Sequence, residues 1–287
     1  MSNSIAPSRF AYLPGRATAL LSVLAVALAA AFVLAPRMLA ASSAGNDLSD
    51  RDELSRAVRE AFIVYWASGD REFSPELKTV VDYWFRYHVA KAVIAALLTI
   101  VLITLGVLLW KAFSRAGGPG ASRSAALASS GVLVTVLGLF SLAVVMANVQ
   151  GAVAPFASLL PMLGVTSAHG KLGASLDEIR EYLAGQPGTG DWTPPAIEVM
   201  ISDFDRYHLA MAVLAATVAV VLIGASVLLW KKFAGTEPSD RRTRRVWASF
   251  AILSAVLSLC VLVVAVANIS TAADPAPALL AFFEGGW

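Results

Sequence analysis

Two of the three histidines occupy equivalent places in a motif that occurs twice. The tripeptide Arg-Tyr-His stands at residues 86–88 and again at 206–208, so that His88 and His208 are 120 residues apart. Two imidazoles on neighbouring helices can bind a haem iron from both sides or share a metal ion. The pattern therefore raises haem binding through His88 and His208 as one hypothesis for the chemistry.

A structural role explains the same two histidines without any ligand. A histidine at the end of a membrane span can bond to water or to a neighbouring acid at the level of the lipid headgroups. Two histidines without a third ligand, and without the spacing His-x-x-x-His, are a weak signal for a metal site. We therefore expect no metal and no cofactor, with haem as the alternative.

Other polar side chains accompany the histidines in both copies of the motif. An arginine precedes each histidine by two residues. It can pair with Asp82, Asp203 or Asp205, or it can contact a lipid phosphate. An asparagine near the end of each following apolar run can bond to a facing helix and fix its packing. These side chains form a predicted polar cluster at one membrane interface, made of Arg86, Tyr87, Asn148, Arg206, Tyr207 and Asn268.

The composition of the chain requires a membrane to position these residues. Hydrophobic residues make up 57% and charged residues 15% of the 287 positions, whereas a soluble domain carries about 25% charged residues. A helical span needs about 20 apolar residues. Five runs are long enough, at 17–35, 89–110, 124–148, 209–230 and 246–268. The predicted fold class is an all-α integral membrane protein with five transmembrane helices.

The charges between the runs predict how the chain is oriented. The segments 1–16, 111–123 and 231–245 hold 11 lysines and arginines against two acids. The positive-inside rule places these segments and the N-terminus in the cytoplasm, and the C-terminus outside it. Arginine outnumbers lysine 16 to 6 and alanine is abundant, as in bacteria with GC-rich genomes, so we expect a multi-pass protein of a bacterial plasma membrane.

The first apolar run allows two interpretations. It follows Arg9 and Arg16 and precedes small residues at 40–44, which is also the pattern of a secretory signal peptide. The run is long for a signal peptide, however, and Arg37 follows it immediately. We favour an uncleaved signal anchor, and cleavage remains the alternative.

The other four runs form two copies of one unit. Within residues 86–113, 17 of 28 positions are identical to the positions 120 residues later. The same offset relates Trp110 to Trp230, Asn148 to Asn268 and Pro155 to Pro275. Matches of rare residues at one fixed offset predict a tandem duplication. The chain then divides into an N-terminal segment with the first span at 1–41, a first unit at 42–161 and a second unit at 162–287.

Each unit begins with helices that precede its first span. In the first unit the pattern predicts an amphipathic helix over 50–68 that ends at Gly69, and a long helix that begins at Ser74-Pro75. In the second unit Ser175 and Glu178 form a capping-box pattern. Thr193 ahead of Pro194 is the expected start of the second long helix. Together these helices predict a small helical cap outside the cytoplasm.

Two short apolar segments follow the third and fifth spans. The segments 153–165 and 276–283 are too short to cross a bilayer, so we expect them to be interfacial or re-entrant. Phe282, Phe283 and Trp287 suit an anchor at the membrane surface.

The repeated motifs resemble those of a known group of proteins. Arg-Tyr-His followed by Leu-Leu-Trp-Lys, and Ala-Asn followed by Pro and Leu-Leu, resemble a family of polytopic membrane proteins of actinobacteria without an assigned role. The resemblance covers about residues 75–280. It implies the same multi-span helical fold and brings no active site with it.

Three function classes are compatible with this sequence. The leading hypothesis is a non-enzymatic accessory or scaffold protein that presents its apolar cap to a protein partner or to a second copy. The alternative is a redox bundle that binds haem through His88 and His208. A small-solute channel or carrier ranks last, because no Asp, Glu or Arg lies in the middle of a span. The apolar spans make the lipid bilayer a further partner, and a net charge of +2 gives no reason to expect nucleic acid as one.

Overall fold

The computed structural model describes residues 13–41, 48–116, 121–185 and 194–286. This part of the chain is all helical, with nine α-helices, a 3₁₀ turn over Leu160–Leu163 and no strand. The helices are α1 Leu13–Ala41, α2 Arg51–Ser68, α3 Pro75–Arg115, α4 Ala121–Val153, α5 Pro155–Leu159, α6 Gly170–Leu183, α7 Pro195–Ala234, α8 Arg241–Ala273 and α9 Pro275–Phe283.

Five of these helices are long and apolar enough to cross a membrane, namely α1, α3, α4, α7 and α8. Helices α3 and α7 have 41 and 40 residues, which corresponds to about 60 Å at 1.5 Å per residue. A bilayer core is about 30 Å thick, so both helices extend well beyond it. The prediction of a helical multi-span membrane protein is confirmed.

The long helices form two hairpins and one added helix. Helix α3 packs along α4, α7 packs along α8, and the hairpins meet mainly where α4 contacts α7. Helix α1 lies against α3, where Leu21 and Ala25 contact the buried pair Leu102 and Leu105. Most other apolar side chains of the spans are exposed in the isolated chain, as is normal for a surface that faces lipid.

The helices outside the spans form a layer that we call the head. It consists of α2, α5, α6, α9, the 3₁₀ turn and the first turns of α3 and α7, and it encloses one hydrophobic core. Both halves of the chain contribute, for example Phe62 and Leu77 from the first and Ile179 and Met200 from the second. The apolar faces that the sequence shows on these helices are therefore buried in the head and do not form its surface.

The predicted helix boundaries of the first half are confirmed. Asp50 caps α2 by accepting hydrogen bonds from the backbone of residues 52 and 53, and Gly69 ends the helix at a φ of 68°. Such a positive φ favours glycine. Ser74 caps α3 through the backbone N–H of Leu77 at 3.3 Å, with Pro75 in the first turn.

The boundary prediction for the second half is partly wrong. Helix α6 begins at Gly170, five residues before the predicted N-cap Ser175. The Ser175 hydroxyl donates to the Lys171 carbonyl inside the helix instead of capping its end. Thr193 lies outside the described residues, and the residue that precedes α7 is Pro194.

The prediction of two interfacial segments is also wrong. The first forms α5 and the 3₁₀ turn, and the second forms most of α9. Phe156 and Leu159 are buried in the head core, as are Phe282 and Phe283. Burial in a protein core removes these side chains from the membrane surface, and Trp287 lies outside the described residues.

The opposite end of the bundle carries the basic loops. There the Arg242 guanidinium lies 3.8 Å from the centroid of the Phe113 ring and donates to the carbonyl of Ala116 at the end of α3. The Arg244 guanidinium donates to the Phe233 carbonyl of α7 at 3.2 Å. Two of the basic side chains therefore satisfy carbonyl groups at helix C-termini.

Candidate functional site

The two histidines of the repeated motif each bond to an asparagine of the neighbouring helix. Nδ1 of His88 on α3 lies 3.0 Å from Oδ1 of Asn148 on α4. Nδ1 of His208 on α7 lies 2.8 Å from Oδ1 of Asn268 on α8. Each hairpin thus contains one histidine–asparagine pair, and the two pairs occupy positions related by 120 residues.

The asparagines determine where the histidine protons lie. The side-chain Nδ2 of Asn148 donates to the Val144 carbonyl at 2.8 Å, and that of Asn268 donates to the Val264 carbonyl at 2.9 Å. The amide oxygen of each asparagine is therefore the atom that faces the imidazole, and it can only accept. Each histidine consequently donates through Nδ1–H, and its Nε2 carries an unshared electron pair.

Neither Nε2 atom has a hydrogen-bond partner, and both are covered by protein atoms. The His88 ring packs edge-on against Trp84, with ring centroids 4.7 Å apart. It also lies against the backbone of Gly151, where a Cβ would come within 2.8 Å of three ring atoms. The His208 ring packs against Phe204 at 4.5 Å.

This arrangement offers the electronic features of a metal ligand without the space for one. A metal-binding histidine commonly donates its other ring N–H to an oxygen, which is the arrangement of both pairs. A haem iron would need open space at Nε2, and the described residues fill that space. A haem therefore fits the donor atoms but not the packing. Among the described residues, no group of three or more histidine, cysteine or acidic side chains could hold a metal ion.

The arginines and tyrosines of the motif have different surroundings in the two halves. Nη1 of Arg206 lies 3.6 Å from the Asp203 carboxylate, whereas Arg86 makes no ion pair within the described ranges. Tyr87 stacks on Trp84 at 5.0 Å, and its hydroxyl accepts from the Lys91 ammonium at 3.2 Å.

One bond from this region connects the two hairpins. Gln150 on α4 is buried, and its amide donates to the backbone carbonyl of Tyr207 on α7 at 3.1 Å. The polar residues at the junction of bundle and head therefore hold α3 to α4, α7 to α8 and α4 to α7.

Comparison of the chain with protein-family models, curated proteins and solved structures finds no match. The indications of function therefore come from the residues and their geometry.

A second feature lies in the head, above the histidine–asparagine pairs. Helices α3 and α7 and the loop before α3 enclose an open cavity of about 690 Å³ that we call the charged groove. Its lining combines cations, acids and a few apolar side chains: Arg71, Glu72, Phe73, Lys78, Val81, Asp82, Glu198, Val199, Ser202, Asp203 and Arg206.

Asp203 forms one fixed wall of the groove. It is 8% exposed, and its Oδ2 accepts from the backbone N–H of Ala157 in the first turn of α5 at 2.8 Å. A carboxylate at a helix N-terminus satisfies backbone donors that the helix itself cannot satisfy. Asp203 therefore attaches the short α5 of the first half to α7 of the second half.

Sequence reasoning identified the histidines, asparagines and arginines but missed most of the groove. The ion pair of Arg71 with Glu198 joins residues 127 positions apart. No local pattern indicates such a pair. The available signal was the run of charges at 70–72, directly before the predicted start of α3.

Proposed function

We propose that this chain is a non-enzymatic accessory or scaffold protein of a bacterial plasma membrane. It would present the head, outside the cytoplasm, to a protein partner or to a second copy of itself. The observation that carries the proposal is that both halves of the chain build one head with a single hydrophobic core. Such a rigid, jointly built layer is what a presented surface requires.

The polar residues considered for chemistry support the same interpretation. The histidines bond to asparagines, Gln150 bonds to a backbone carbonyl, and Asp203 caps α5. Each of these contacts joins two helices, which is a structural task. Most of the exposed side chains on the head are charged or polar, so the expected contact with a partner is electrostatic rather than apolar.

The proposal includes a tandem duplication of the unit of two spans and an orientation with the head outside the cytoplasm. Two histidine–asparagine pairs at the same offset support a duplication of the unit of two spans. The basic loops lie at the end of the bundle away from the head, which by the positive-inside rule supports a head outside the cytoplasm. Membership of the actinobacterial family of membrane proteins that the repeated motifs resemble is likewise proposed.

Extraction in a mild detergent, followed by size-exclusion chromatography with light scattering, tests the proposal. We expect protein assemblies larger than the single chain of 30.1 kDa. Because contacts between charged surfaces weaken with salt, the assemblies should dissociate at about 0.5 M salt, where the screening length is well under 10 Å. A monomer without any associated protein, in several mild detergents at low salt, would contradict the proposal.

The alternative function is redox chemistry with a haem bound through His88 and His208. The unshared electron pairs on both Nε2 atoms favour it, and the covered positions of these atoms oppose it. An ultraviolet–visible spectrum of the purified protein, oxidised and then reduced, distinguishes the two. A Soret band that His88→Ala or His208→Ala abolishes would establish the alternative, and a spectrum with only the aromatic band would remove it.

A further inference from the structure

The charged groove has the dimensions of a ligand site. Its volume of about 690 Å³ lies within the range of about 300–1,000 Å³ that small-molecule sites occupy. Apolar side chains, Phe73, Val81 and Val199, line part of it. A cleft with an apolar part and several charged groups can both bury and orient a small polar molecule.

The charges of the groove are paired loosely. Arg71 pairs with Glu198, and the Lys78 ammonium pairs with Asp82 at 2.9 Å. The side chains of Arg71 and Lys78 are 66% and 64% exposed, and ion pairs between exposed side chains contribute little to stability. A ligand that offers both a cation and an anion can replace these contacts at little cost.

The two walls differ in charge although they occupy equivalent sequence positions. Lys78 on α3 and Glu198 on α7 are related by the offset of 120 residues, and so are Asp82 and Ser202. By contrast, the tripeptide a few residues later is identical in both copies. Each wall nevertheless carries charges of both signs, with Lys78 and Asp82 on α3 and with Glu198 and Arg206 on α7. The groove therefore suits a ligand that has both an anionic and a cationic group.

The lower end of the groove lies close to the expected membrane surface. Arg206 precedes the apolar run of α7 by three residues, and Asp82 precedes that of α3 by seven. At 1.5 Å per residue these distances are about 5 Å and about 10 Å. Lys78 and Glu198 each precede their apolar run by 11 residues, which is about 16 Å. The headgroup layer is about 5–8 Å thick on each side of a bilayer core. A lipid headgroup in that layer therefore reaches Arg206 at the lower end of the groove, and it must rise by roughly 10 Å to reach the upper charges.

We propose that the charged groove binds a zwitterion in which a phosphate group is joined to a primary ammonium, as in the headgroup of phosphatidylethanolamine. Arg71, Arg206 and Lys78 supply donors for the phosphate. Glu72, Asp82 and Glu198 supply acceptors for the ammonium. The proposal is independent of the accessory role, because a monomeric protein could bind the same ligand.

The test uses the full chain, purified in detergent and freed of lipid. Glycerophosphoethanolamine serves as the soluble probe, and phosphatidylethanolamine in phosphatidylglycerol nanodiscs serves as the lipid probe. The variants are Lys78→Gln and Glu198→Gln. The matched controls are Lys171→Gln and Glu181→Gln, two exposed side chains of α6 away from the groove. Thermal melting of each variant first shows that it is folded.

We expect the lipid probe to be retained in native mass spectra. Each groove variant should weaken binding about tenfold, the loss expected for one charge-assisted contact, while both controls stay within about twofold. Glycerophosphate alone and ethanolamine alone should bind much more weakly than the zwitterion. If the soluble probe binds as well as the lipid, the ligand is a free zwitterion. If only the lipid binds, the source is the membrane.

Three results would overturn the proposal. The first is binding of glycerophosphate as strong as that of the zwitterion, since the groove would then be a simple anion site. The second is the absence of detectable binding of either probe, and the third is binding that neither groove variant changes. All three results leave the oligomeric state untouched, so they are distinguishable from a failure of the accessory role.

Discussion

At the scale of single residues, Asn148 and Asn268 decide what His88 and His208 can do. Each asparagine points its amide oxygen at the histidine Nδ1 and thereby selects one neutral tautomer. A neutral imidazole bonds across two helices without placing a charge near the hydrocarbon. The pairs therefore combine the polarity that a specific contact needs with the neutrality that the membrane favours.

Gly151 provides the space in which the His88 ring lies, so Gly151→Ala should destabilise the α3–α4 hairpin. The added Cβ would lie 2.8 Å from the ring, and overpacking of this kind costs about 1–3 kcal/mol. We expect a clearly lower melting temperature in detergent. Gly224→Ala is the matched control, because nothing lies within 4 Å of its added Cβ. Equal melting temperatures for the two variants would show that His88 does not occupy this position.

Tyr65 carries a buried hydroxyl without a hydrogen-bond partner, so Tyr65→Phe should be neutral or stabilising by up to about 1 kcal/mol. Burial raises the pKa of Tyr65 to about 12, whereas an unfolded tyrosine titrates near 10. The folded state keeps the Tyr65 hydroxyl neutral. Its ionisation therefore does not change the free energy of unfolding below pH 10, and it lowers that free energy as the pH rises towards 12. The melting temperature of the variant should exceed that of the natural chain more at pH 11 than at pH 8. An unchanged difference would contradict the burial of this hydroxyl.

The sequence identified the residue types of the junction but not their bonds. The repeated motif placed histidine and asparagine near one end of each hairpin, which the structure also shows. The pairing of Arg71 with Glu198, in contrast, depends on how α3 and α7 are arranged in the head. Such contacts between distant segments arise from tertiary packing and leave no local periodicity to read.

At the scale of elements, the short helix α5 illustrates how the two halves depend on each other. Its first turn is capped by Asp203 of the other half through the N–H of Ala157. At the offset of 120 residues these positions are Tyr83 and Pro277. Proline has no N–H to satisfy, so the equivalent place in α9 needs no carboxylate.

This hydrogen bond predicts that substitutions of Asp203 and Ala157 have non-additive effects on the free energy of unfolding. Asp203→Ala should cost about 1–3 kcal/mol, because it leaves a buried N–H without a partner. The cost should fall in the background of Ala157→Pro, which removes that N–H. Unfolding of the four forms in a denaturant series measures the coupling. Asp205→Ala on the same helix is the control and should change stability by less than about 0.5 kcal/mol. Additive effects of the two changes would contradict the cap.

Helix boundaries were predictable where one strong signal dominated. Gly69 and Ser74 mark the end of α2 and the start of α3 as the sequence indicated. The capping-box pattern misplaced the start of α6, because Glu178 instead accepts from the Trp66 indole at 2.8 Å. The spacing of Leu172 and Leu176, both buried, extends the apolar face backwards and was the available signal for the earlier start.

At the scale of the whole molecule, the protein combines lipid-facing hairpins with a head that has its own hydrophobic core. Composition alone predicted the spans, since five apolar runs have the length that a bilayer demands. The short apolar segments at 153–165 and 276–283 lack that length, and their hydropathy predicts an interfacial or re-entrant position, which is wrong because the head core buries them. Hydropathy measures a preference for apolar surroundings and does not distinguish lipid from a protein core.

The proposed orientation places the head outside the cytoplasm and the basic loops inside it, which cysteine labelling tests. In a Cys260→Ser background, Glu72→Cys in the head should react with a membrane-impermeant maleimide on intact cells. Arg241→Cys in the basic loop region should react only after permeabilisation. Both positions are exposed, so accessibility on the molecule itself does not limit the reaction. The opposite labelling pattern would place the head in the cytoplasm.

Photo-crosslinking in the native membrane tests whether the head is a surface presented to another protein or to a second copy of the chain. A photoreactive side chain replaces Val64 on α2, which is 53% exposed in the head, or Val220 within the span of α7, which is 69% exposed. We expect a discrete protein adduct from position 64, either with a second copy of the chain or with one other protein, and no protein adduct from position 220. Absence of any protein adduct from position 64, together with the same result for a photoreactive side chain at Glu72 beside the groove, would contradict the proposed function.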